Sequence, residues 1–265
     1  MRSIVLTGAA GRLGGQLRAS LAVLCDELRL VDQQPVVAER ANEVVHQFDL
    51  NDRAALDRVM AGAQAVVHFS GFPREANWET LLAANVSAVA GLWESARSAG
   101  VQRVVYASSN HAVGLYPRSE LLTEQVLPQP DSRYGVTKVF MESVAGLYAA
   151  KHGMRGFGIR IGHCASVPTD ARMLSHWIHP EDLAQLVEVG LTADYHNEIV
   201  YGASANSRSW WRNERALSLG YQPRHSADAH IERLAKVTTT DAVSEYFQGG
   251  SFAAAEHDNP RHRPG

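Results

Sequence analysis

The sequence predicts an α/β fold with a doubly wound parallel sheet and a small C-terminal portion, on three observations. Short β-branched runs alternate with helical patterns through the first 160 residues. The runs are almost continuously apolar, which is typical of parallel strands that are buried on both faces. A glycine-rich turn follows the first run and opens a helix. Together these features indicate a Rossmann-type architecture.

The individual elements follow from the same patterns, taken in order. Strands are expected at residues 3–7, 28–31, 44–48, 65–69, 103–107 and 156–161. Helices are expected from the glycine-rich turn to about 24, from about 51, over 77–99 and over 134–151. Beyond 161 the pattern predicts a helix near 180–191, a short strand at 199–202 and a helix near 227–236, and the polar tail over 253–265 is expected to fray.

Length and composition exclude several classes of function. The chain has 265 residues, 45% of them hydrophobic, which is enough to bury a full core. The net charge of −3 argues against nucleic acid or an anionic membrane as a partner. No apolar run reaches the roughly 20 residues that span a bilayer, and the amino terminus does not resemble a signal peptide. With Cys25 and Cys164 interpreted as reduced thiols, we expect a soluble, cytoplasmic protein.

Polar and glycine residues cluster just past the predicted strand ends. Ligands of doubly wound folds bind at the carboxyl ends of the strands, where these residues are expected to meet. The residues concerned are Gly8, Asp32, Asp49, Ser70 and Ser109.

The segment TGAAGRLG at 7–14 predicts a dinucleotide site. Its glycines allow the backbone to approach a pyrophosphate, and the helix amino terminus supplies free amides and a positive dipole end. The residues expected there are Gly8, Gly11, Arg12, Leu13 and Gly14.

Acidic residues after the second and third strands are interpreted as adenosine ligands. Asp32 would accept hydrogen bonds from the ribose hydroxyls and repel a 2′-phosphate, which favours NAD over NADP. Asp49 and Leu50 would contact the adenine ring, although Asp49 could equally cap a helix. The remaining residues expected at the cofactor are Phe69, Ser70, Gly71, Lys138 and Cys164.

Tyr134 and Lys138 are the expected proton-transfer pair. They are four residues apart and therefore share a helix face. A neighbouring ammonium is expected to lower the pKa of the tyrosine, which could then take a hydroxyl proton as hydride leaves the same carbon. A surface Tyr/Lys pair is the alternative. Ser109, rather than Ser108, is preferred as hydrogen-bond donor, although strand alternation alone does not decide which faces the site.

These motifs resemble the extended short-chain dehydrogenases/reductases. TGAAGRLG, HFSG, SSN and YGVTK occur in that family's order and spacing over residues 1 to about 162. Within it, the chain is similar to the uronate dehydrogenases in the segments VYASSNHAVGLYP, RYGVTK, RIGHC, RMLSHW, VYGASANSRSWW and YFQGGSF. The resemblance implies NAD-dependent oxidation of a hexuronic acid (galacturonate or glucuronate) at C1 to the aldarolactone, with residues 163–265 as a small substrate-binding portion and tail interleaved with the core.

The resemblance also implies residue roles. Tyr134 would be the base, assisted by Lys138 and Ser109, while Asn110 and His111 would contact sugar hydroxyls. Arg172 would hold the carboxylate, for which a guanidinium has matching bidentate geometry. The alternatives are a surface arginine and a loop-anchoring histidine.

Two positions expected near the substrate depart from the family pattern. His163 stands where the uronate enzymes usually have serine after R-I-G, and Pro73 stands where they have a small polar residue. The preference among uronic acids therefore stays open.

The remaining histidines and tryptophans of note are expected to have structural roles. His176 and His179 have metal-ligand spacing, but no acidic or cysteine cluster accompanies them, and no metal is expected. His68 is interpreted as a core histidine, and the pair Trp210–Trp211 as packing.

Rival functions are a nucleotide-sugar epimerase or dehydratase and a non-catalytic NAD-binding protein. Asn110 and His111 stand where dehydratases have an acidic pair, which argues against the first rival, and the intact Tyr134 argues against the second. The partner is expected to be a small sugar acid, with a homo-oligomer formed through the helices over 77–99 and 134–151.

Overall fold

A seven-stranded, wholly parallel sheet forms the centre of the computed structural model, which describes residues 1–259. Its strands in spatial order are β3, β2, β1, β4, β5, β6 and β9. Their bounds are β1 Ser3–Thr7, β2 Glu27–Asp32, β3 Glu43–Gln47, β4 Ala65–His68, β5 Arg103–Ser109, β6 Arg155–Ile161 and β9 Asn197–Gly202. A second, two-stranded sheet pairs β7 (His163–Cys164) with β8 (Trp177–Ile178). The predicted fold class is confirmed.

Helices cover both faces of the main sheet. Their bounds are α1 Arg12–Ala22, α2 Arg53–Met60, α3 Trp78–Leu81, α4 Ala88–Ser98, α5 Arg133–His152, α6 Met173–His176, α7 Pro180–Thr192, α8 Glu214–Ser218, α9 Ile231–Leu234, α10 Ala242–Tyr246 and α11 Ser251–Ala254. Helices α1 and α7 pack on one face, through residues such as Leu17 and Leu186. Helices α2, α4 and α5 pack on the other, around the fully buried Trp93. Among residues 1–259, no helix has both the length and the apolar character needed to span a bilayer.

Three features differ from the expected elements. The helix expected over 77–99 contains a π-helical segment at Leu82–Ser87. The strand expected at 199–202 joins the main sheet as its seventh member, paired with β6. The expected fraying from residue 253 is wrong at its start, because Ala253 is buried in α11 and Glu256 pairs with Arg133 at 2.7 Å. The rest of that prediction, over 260–265, lies outside the described residues.

Parts of the chain beyond β6 form two small apolar clusters outside the main core. One small apolar cluster contains Val113, Tyr201 and Trp211. A second joins α6 to the segment at 227–234 through Met173, Leu174, Trp177, Ala227 and Leu234. These clusters fix the connections that surround the candidate site.

Candidate active site

The turn between β1 and α1 forms a cradle of backbone. Gly8 has φ of +78°, and a Cβ on Gly14 would lie 2.0 Å from the carbonyl oxygen of Gly8, so neither position tolerates a side chain without movement. Gly11 caps α1 without a side-chain hydrogen bond. The first-turn amides of Arg12 and Leu13, which have no partners within a helix, are thus available to an anion.

Asp32 lies at the carboxyl end of β2, beside this cradle. Its two carboxylate oxygens accept from the amides of Ala10 (3.0 Å) and Gln34 (2.9 Å). Each oxygen keeps a further lone pair for a ribose hydroxyl. The carboxylate is half-buried and lines a cavity of about 330 Å³. Asp49, Leu50, Ser70 and Gly71 line the same cavity, as does Pro73, which was expected beside the substrate.

This cavity fits the adenosine half of NAD. It combines a carboxylate for the ribose hydroxyls, apolar surface from Leu50 and Phe48, and the carboxyl ends of neighbouring parallel strands. The polar and apolar groups that line the cavity, together with the glycine turn beside it, match the groups of this half of the cofactor.

The loop that carries Ser70 and Gly71 is held by Asn85, a residue that sequence reasoning missed. Asn85 is 1% exposed and lies in the π-helical segment. Its side chain accepts from the Phe72 amide (2.7 Å) and donates to the Phe72 carbonyl (3.0 Å) and to Thr137 Oγ1 (3.2 Å). Asn85 therefore connects the cofactor cavity to helix α5.

Tyr134 and Lys138 lie in the first two turns of α5 and are both buried. Lys138 Nζ donates to the carbonyl of Ala107 at 2.8 Å and lies 5.3 Å from the centre of the Tyr134 ring. Burial raises the pKa of Tyr134 to about 12 and lowers the pKa of Lys138 to about 8. The expected lowering of the tyrosine pKa by the neighbouring ammonium is therefore wrong for this structure, because desolvation dominates.

Strand alternation sends Ser108 and Ser109 to opposite faces of β5. The Ser109 hydroxyl accepts from the His111 amide at 3.2 Å and opposes the rise in the pKa of Tyr134. Ser108 donates to Glu142 at 2.6 Å, and Glu142 also receives two 2.9 Å bonds from Arg160. Ser109 is thus the serine beside the tyrosine, whereas Ser108 belongs to a buried structural network.

Asn110 and His111 continue from Ser109 toward the same centre. Asn110 is 4% exposed, and its Nδ2 has no hydrogen-bond partner within residues 1–259. His111 Nδ1 lies 2.7 Å from Asp131 Oδ2, and its ring stacks on Phe252 at 4.0 Å. Since a carboxylate accepts, Nδ1 carries the proton, which leaves Nε2 as an acceptor in the neutral ring.

Phe252 and Asp131 were not anticipated from the sequence. The Phe252 ring also lies 6.0 Å from that of Tyr134, so the segment at 248–252 closes over the tyrosine. The only available signal was the family-like segment YFQGGSF, which carries no spacing rule of its own.

Glu75, also missed, anchors the start of α5. It accepts from the Tyr134 amide and pairs with Arg133, each at 2.8 Å. A carboxylate at a helix amino terminus is favourable because it satisfies a free amide and faces the positive dipole end. Glu75 therefore helps to fix where Tyr134 sits.

Arg172 lies beside the same C-terminal segment. Its guanidinium donates to the carbonyl of Gln248 and, at 3.0 Å, to His176 Nε2. Its Nε has no partner, and no carboxylate lies within salt-bridge distance of it in the described part of the chain. Burial and the nearby Arg118 lower the pKa of Arg172 to about 10. The guanidinium is therefore half-buried with a free Nε, and the carboxylates of Asp170, Asp131 and Glu245 act on it only from beyond ion-pair distance.

The other expected contacts lie around the end of β6. Arg12 donates to the carbonyl of Cys164, which connects the glycine cradle to β7. Burial raises the pKa of the Cys164 thiol to about 11, so the thiol is a poor nucleophile at neutral pH. His163 is exposed, and its ring lies 6.4 Å from that of His176.

The remaining histidines have separate surroundings. His68 is fully buried with Nδ1 2.7 Å from Thr7 Oγ1, and burial lowers its pKa to about 3. His176 packs among rings, whereas His179 caps α7. His179, Glu181 and His225 present possible ligand atoms within 4.8 Å of one another, a grouping that the H-x-x-H spacing did not indicate.

Comparison with known proteins places this chain in a family. A sequence model of the NAD dependent epimerase/dehydratase family matches residues 4–211. The chain is 40% identical to a uronate dehydrogenase of Pseudomonas putida, over 95% of this chain and 96% of that protein. The crystal structure of an Agrobacterium tumefaciens uronate dehydrogenase variant complexed with NAD aligns over 100% of both chains with 36% identity and a TM-score of 0.90. A glucuronic acid dehydrogenase from Chromohalobacter salexigens aligns over 97% of this chain and 98% of that one, with 36% identity and a TM-score of 0.91.

Proposed function

Because this chain belongs to the NAD dependent epimerase/dehydratase family and, within it, to the uronate dehydrogenases, we propose that it oxidises galacturonate or glucuronate at C1 to the aldarolactone, with NAD as cofactor. The observation that carries the substrate class is Arg172. Its half-buried guanidinium has a buried Nε without a partner, forms no ion pair in the described chain and is bonded to the segment that carries Phe252 beside Tyr134. A substrate carboxylate would supply the missing anion.

The cofactor would be held by the glycine cradle and the adjoining cavity. The amides of Arg12 and Leu13 would face the pyrophosphate, and Asp32 would bind the ribose. When bound, NAD supplies the hydride acceptor for the oxidation at C1. Arg12 donates to the Cys164 carbonyl and would therefore hold the glycine cradle against β7.

The proton is handled by Tyr134. Its phenolate oxygen would take the proton of the anomeric hydroxyl and become a neutral phenol, while Ser109 donates a hydrogen bond to the same substrate oxygen. A pKa of about 12 means that burial alone disfavours the phenolate, so the base depends on positive charge nearby. Lys138 is the ionisable cation next to the ring and would provide part of that charge.

The sugar would be oriented from two sides. Asn110 Nδ2 is buried without a hydrogen-bond partner among residues 1–259 and is suited to donate to a sugar hydroxyl, and His111 Nε2 is suited to accept from one. Arg172 would hold the carboxylate at the far end of the ring. This arrangement fixes which carbon faces Tyr134.

The test is a screen for NADH formation by absorbance. The enzyme and NAD are mixed with galacturonate, glucuronate, the matching neutral aldoses and UDP-sugars. Turnover is expected with a uronate and is expected to disappear in Tyr134→Phe, which removes the proton acceptor. Turnover confined to UDP-sugars, or epimerisation of them, would instead support a nucleotide-sugar enzyme.

We further propose self-association through helices α3 to α5. Trp78, Leu82, Val136 and Leu147 are each more than 40% exposed on these helices, although they are apolar. A neighbouring copy would remove this surface from water. Light scattering should report a mass above one chain that falls in Leu147→Glu but not in Leu127→Glu, a change at an apolar side chain 78% exposed elsewhere.

The two cysteines suit a reducing compartment. Cys25 and Cys164 are buried and form no disulfide. On this ground we propose a cytoplasmic location.

A further inference from the structure

We propose that His176 is a positioning residue for the substrate carboxylate: as a neutral hydrogen-bond acceptor, it directs the Arg172 guanidinium without neutralising its charge. This inference rests on the proposed role of Arg172. His176 makes no contact with Tyr134 in the described structure and would act only through the arginine.

The hydrogen bonds fix the tautomer of the His176 ring. Nδ1 lies 2.7 Å from the carbonyl oxygen of Arg172, and a carbonyl can only accept, so Nδ1 carries the proton. Nε2 is then a lone pair facing the Arg172 guanidinium at 3.0 Å, and it accepts from that group. Backbone and side chain of the same arginine therefore hold the ring from both sides.

The ring has little freedom to leave this position. His176 is 2% exposed. Its ring stacks on Trp210 at 5.5 Å with an interplanar angle of 20°, and Trp211 meets it edge-on at 6.3 Å. Burial and the Arg172 cation hold the pKa of His176 well below its usual range, so the ring stays neutral.

The second anchor of the guanidinium is also neutral. The carbonyl of Gln248 accepts from Arg172, and the Gln248 side chain is fixed by Trp211 Nε1 (2.9 Å) and the carbonyls of Pro117 (3.1 Å) and Glu120 (2.9 Å). A carboxylate in either place would form an internal ion pair with Arg172. With two neutral acceptors, the cation is oriented while its charge remains available to an incoming carboxylate.

The isosteric pair His176→Gln and His176→Glu tests this directly. The Gln side chain places an amide oxygen near the position of Nε2, whereas Glu places a charged carboxylate there. We expect the KM for the uronate to stay within about threefold in His176→Gln and to rise by about tenfold or more in His176→Glu. The KM for NAD should change less than about twofold in both. The pair His225→Gln and His225→Glu, at a histidine that contacts Glu181 and not Arg172, is the matched control.

Two further measurements make the outcome decisive. Thermal melting identifies variants that fail to fold, and NAD binding by fluorescence checks that the nucleotide site is intact. Equal uronate KM values in the two His176 variants, or a parallel rise in the KM for NAD, would overturn the inference. If wild-type enzyme oxidises no uronate, the proposed function itself fails, which the parallel wild-type assay shows separately.

Discussion

At the scale of single residues, burial controls the charge of the proposed catalytic pair, Tyr134 and Lys138. Desolvation favours the uncharged form of each group, so it moves the pKa of Tyr134 up and that of Lys138 down. The Y-x-x-x-K spacing was sufficient to predict that the two side chains share a helix face. It could not predict their pKa values, because these depend on how deeply α5 is covered by β5 and the C-terminal segment.

The lowered pKa of Lys138 predicts that this side chain reduces the stability of the folded protein, although the proposed reaction needs it. Its folded-state pKa of about 8 lies below the ordinary 10.5, so the folded protein carries an unfavourable buried charge below pH 8. The resulting loss in the free energy of unfolding is fully present at pH 7 and disappears as the pH rises from 8 to about 10.5. Lys138→Met should abolish turnover and raise the free energy of unfolding at pH 7 by about 1–3 kcal/mol.

Denaturant unfolding at pH 7 and pH 10 checks this prediction. The gain should shrink at the higher pH. Lys151→Met, in the exposed last turn of the same helix, is the control and should change stability little at either pH. A Lys138→Met protein less stable than wild type at pH 7 would show that the lysine bond to Ala107 outweighs its desolvation.

At the scale of elements, the predicted strands and long helices agree with the structure to within a few residues, while local irregularities were missed. Apolar spacing predicted one helix over 77–99, but it contains the π-helical segment that places Asn85 against Phe72. A π-helical segment is rare and is frequent at functional sites, and a helical spacing of apolar residues does not show where one occurs. The tail was expected to fray from residue 253 because its composition is polar, yet Arg133 holds Glu256 across 123 positions of sequence.

The hydrogen bonds of Asn85 predict how a substitution at this position changes the KM for NAD. Asn85→Ala removes the bonds that hold the Ser70–Pro73 loop at the adenosine cavity, so the KM for NAD should rise by about tenfold while the KM for the uronate changes less than about threefold. Asn42→Ala is the matched control, because Asn42 also anchors backbone, at Ala22 (2.8 Å) and Cys25 (3.0 Å). Steady-state kinetics with each substrate varied in turn makes the comparison. An unchanged KM for NAD in Asn85→Ala would contradict the role given to this loop.

At the scale of the whole molecule, the order of strands explains why the cofactor elements meet. The order reverses between β1 and β4, which places the Gly8 turn and the Ser70 loop on either side of one crevice. This much followed from the sequence, because alternating strands and helices admit few topologies. The surroundings of Arg172 did not follow, since its partner Gln248 lies 76 positions away in a region of short helices without a clear period.

The two halves of the chain contribute different groups to the candidate site. Residues before β7 provide the glycine cradle, the adenosine cavity and the Tyr134–Ser109 pair. Residues after it provide the hydrogen-bonded pair Arg172 and His176, and Phe252, whose ring lies 6.0 Å from that of Tyr134. We therefore expect cofactor binding to survive changes in the later residues that eliminate selection of the sugar acid.

The most direct test of the account compares kcat/KM for a uronate with that for the matching neutral aldose, in wild type and in Arg172→Met. We expect a strong preference for the uronate in wild type and a loss of about 100-fold or more in that ratio for the variant, with the KM for NAD nearly unchanged, because removing a charge-assisted bidentate contact costs several kcal/mol. An Arg172→Met enzyme that keeps the wild-type preference for the uronate would contradict it.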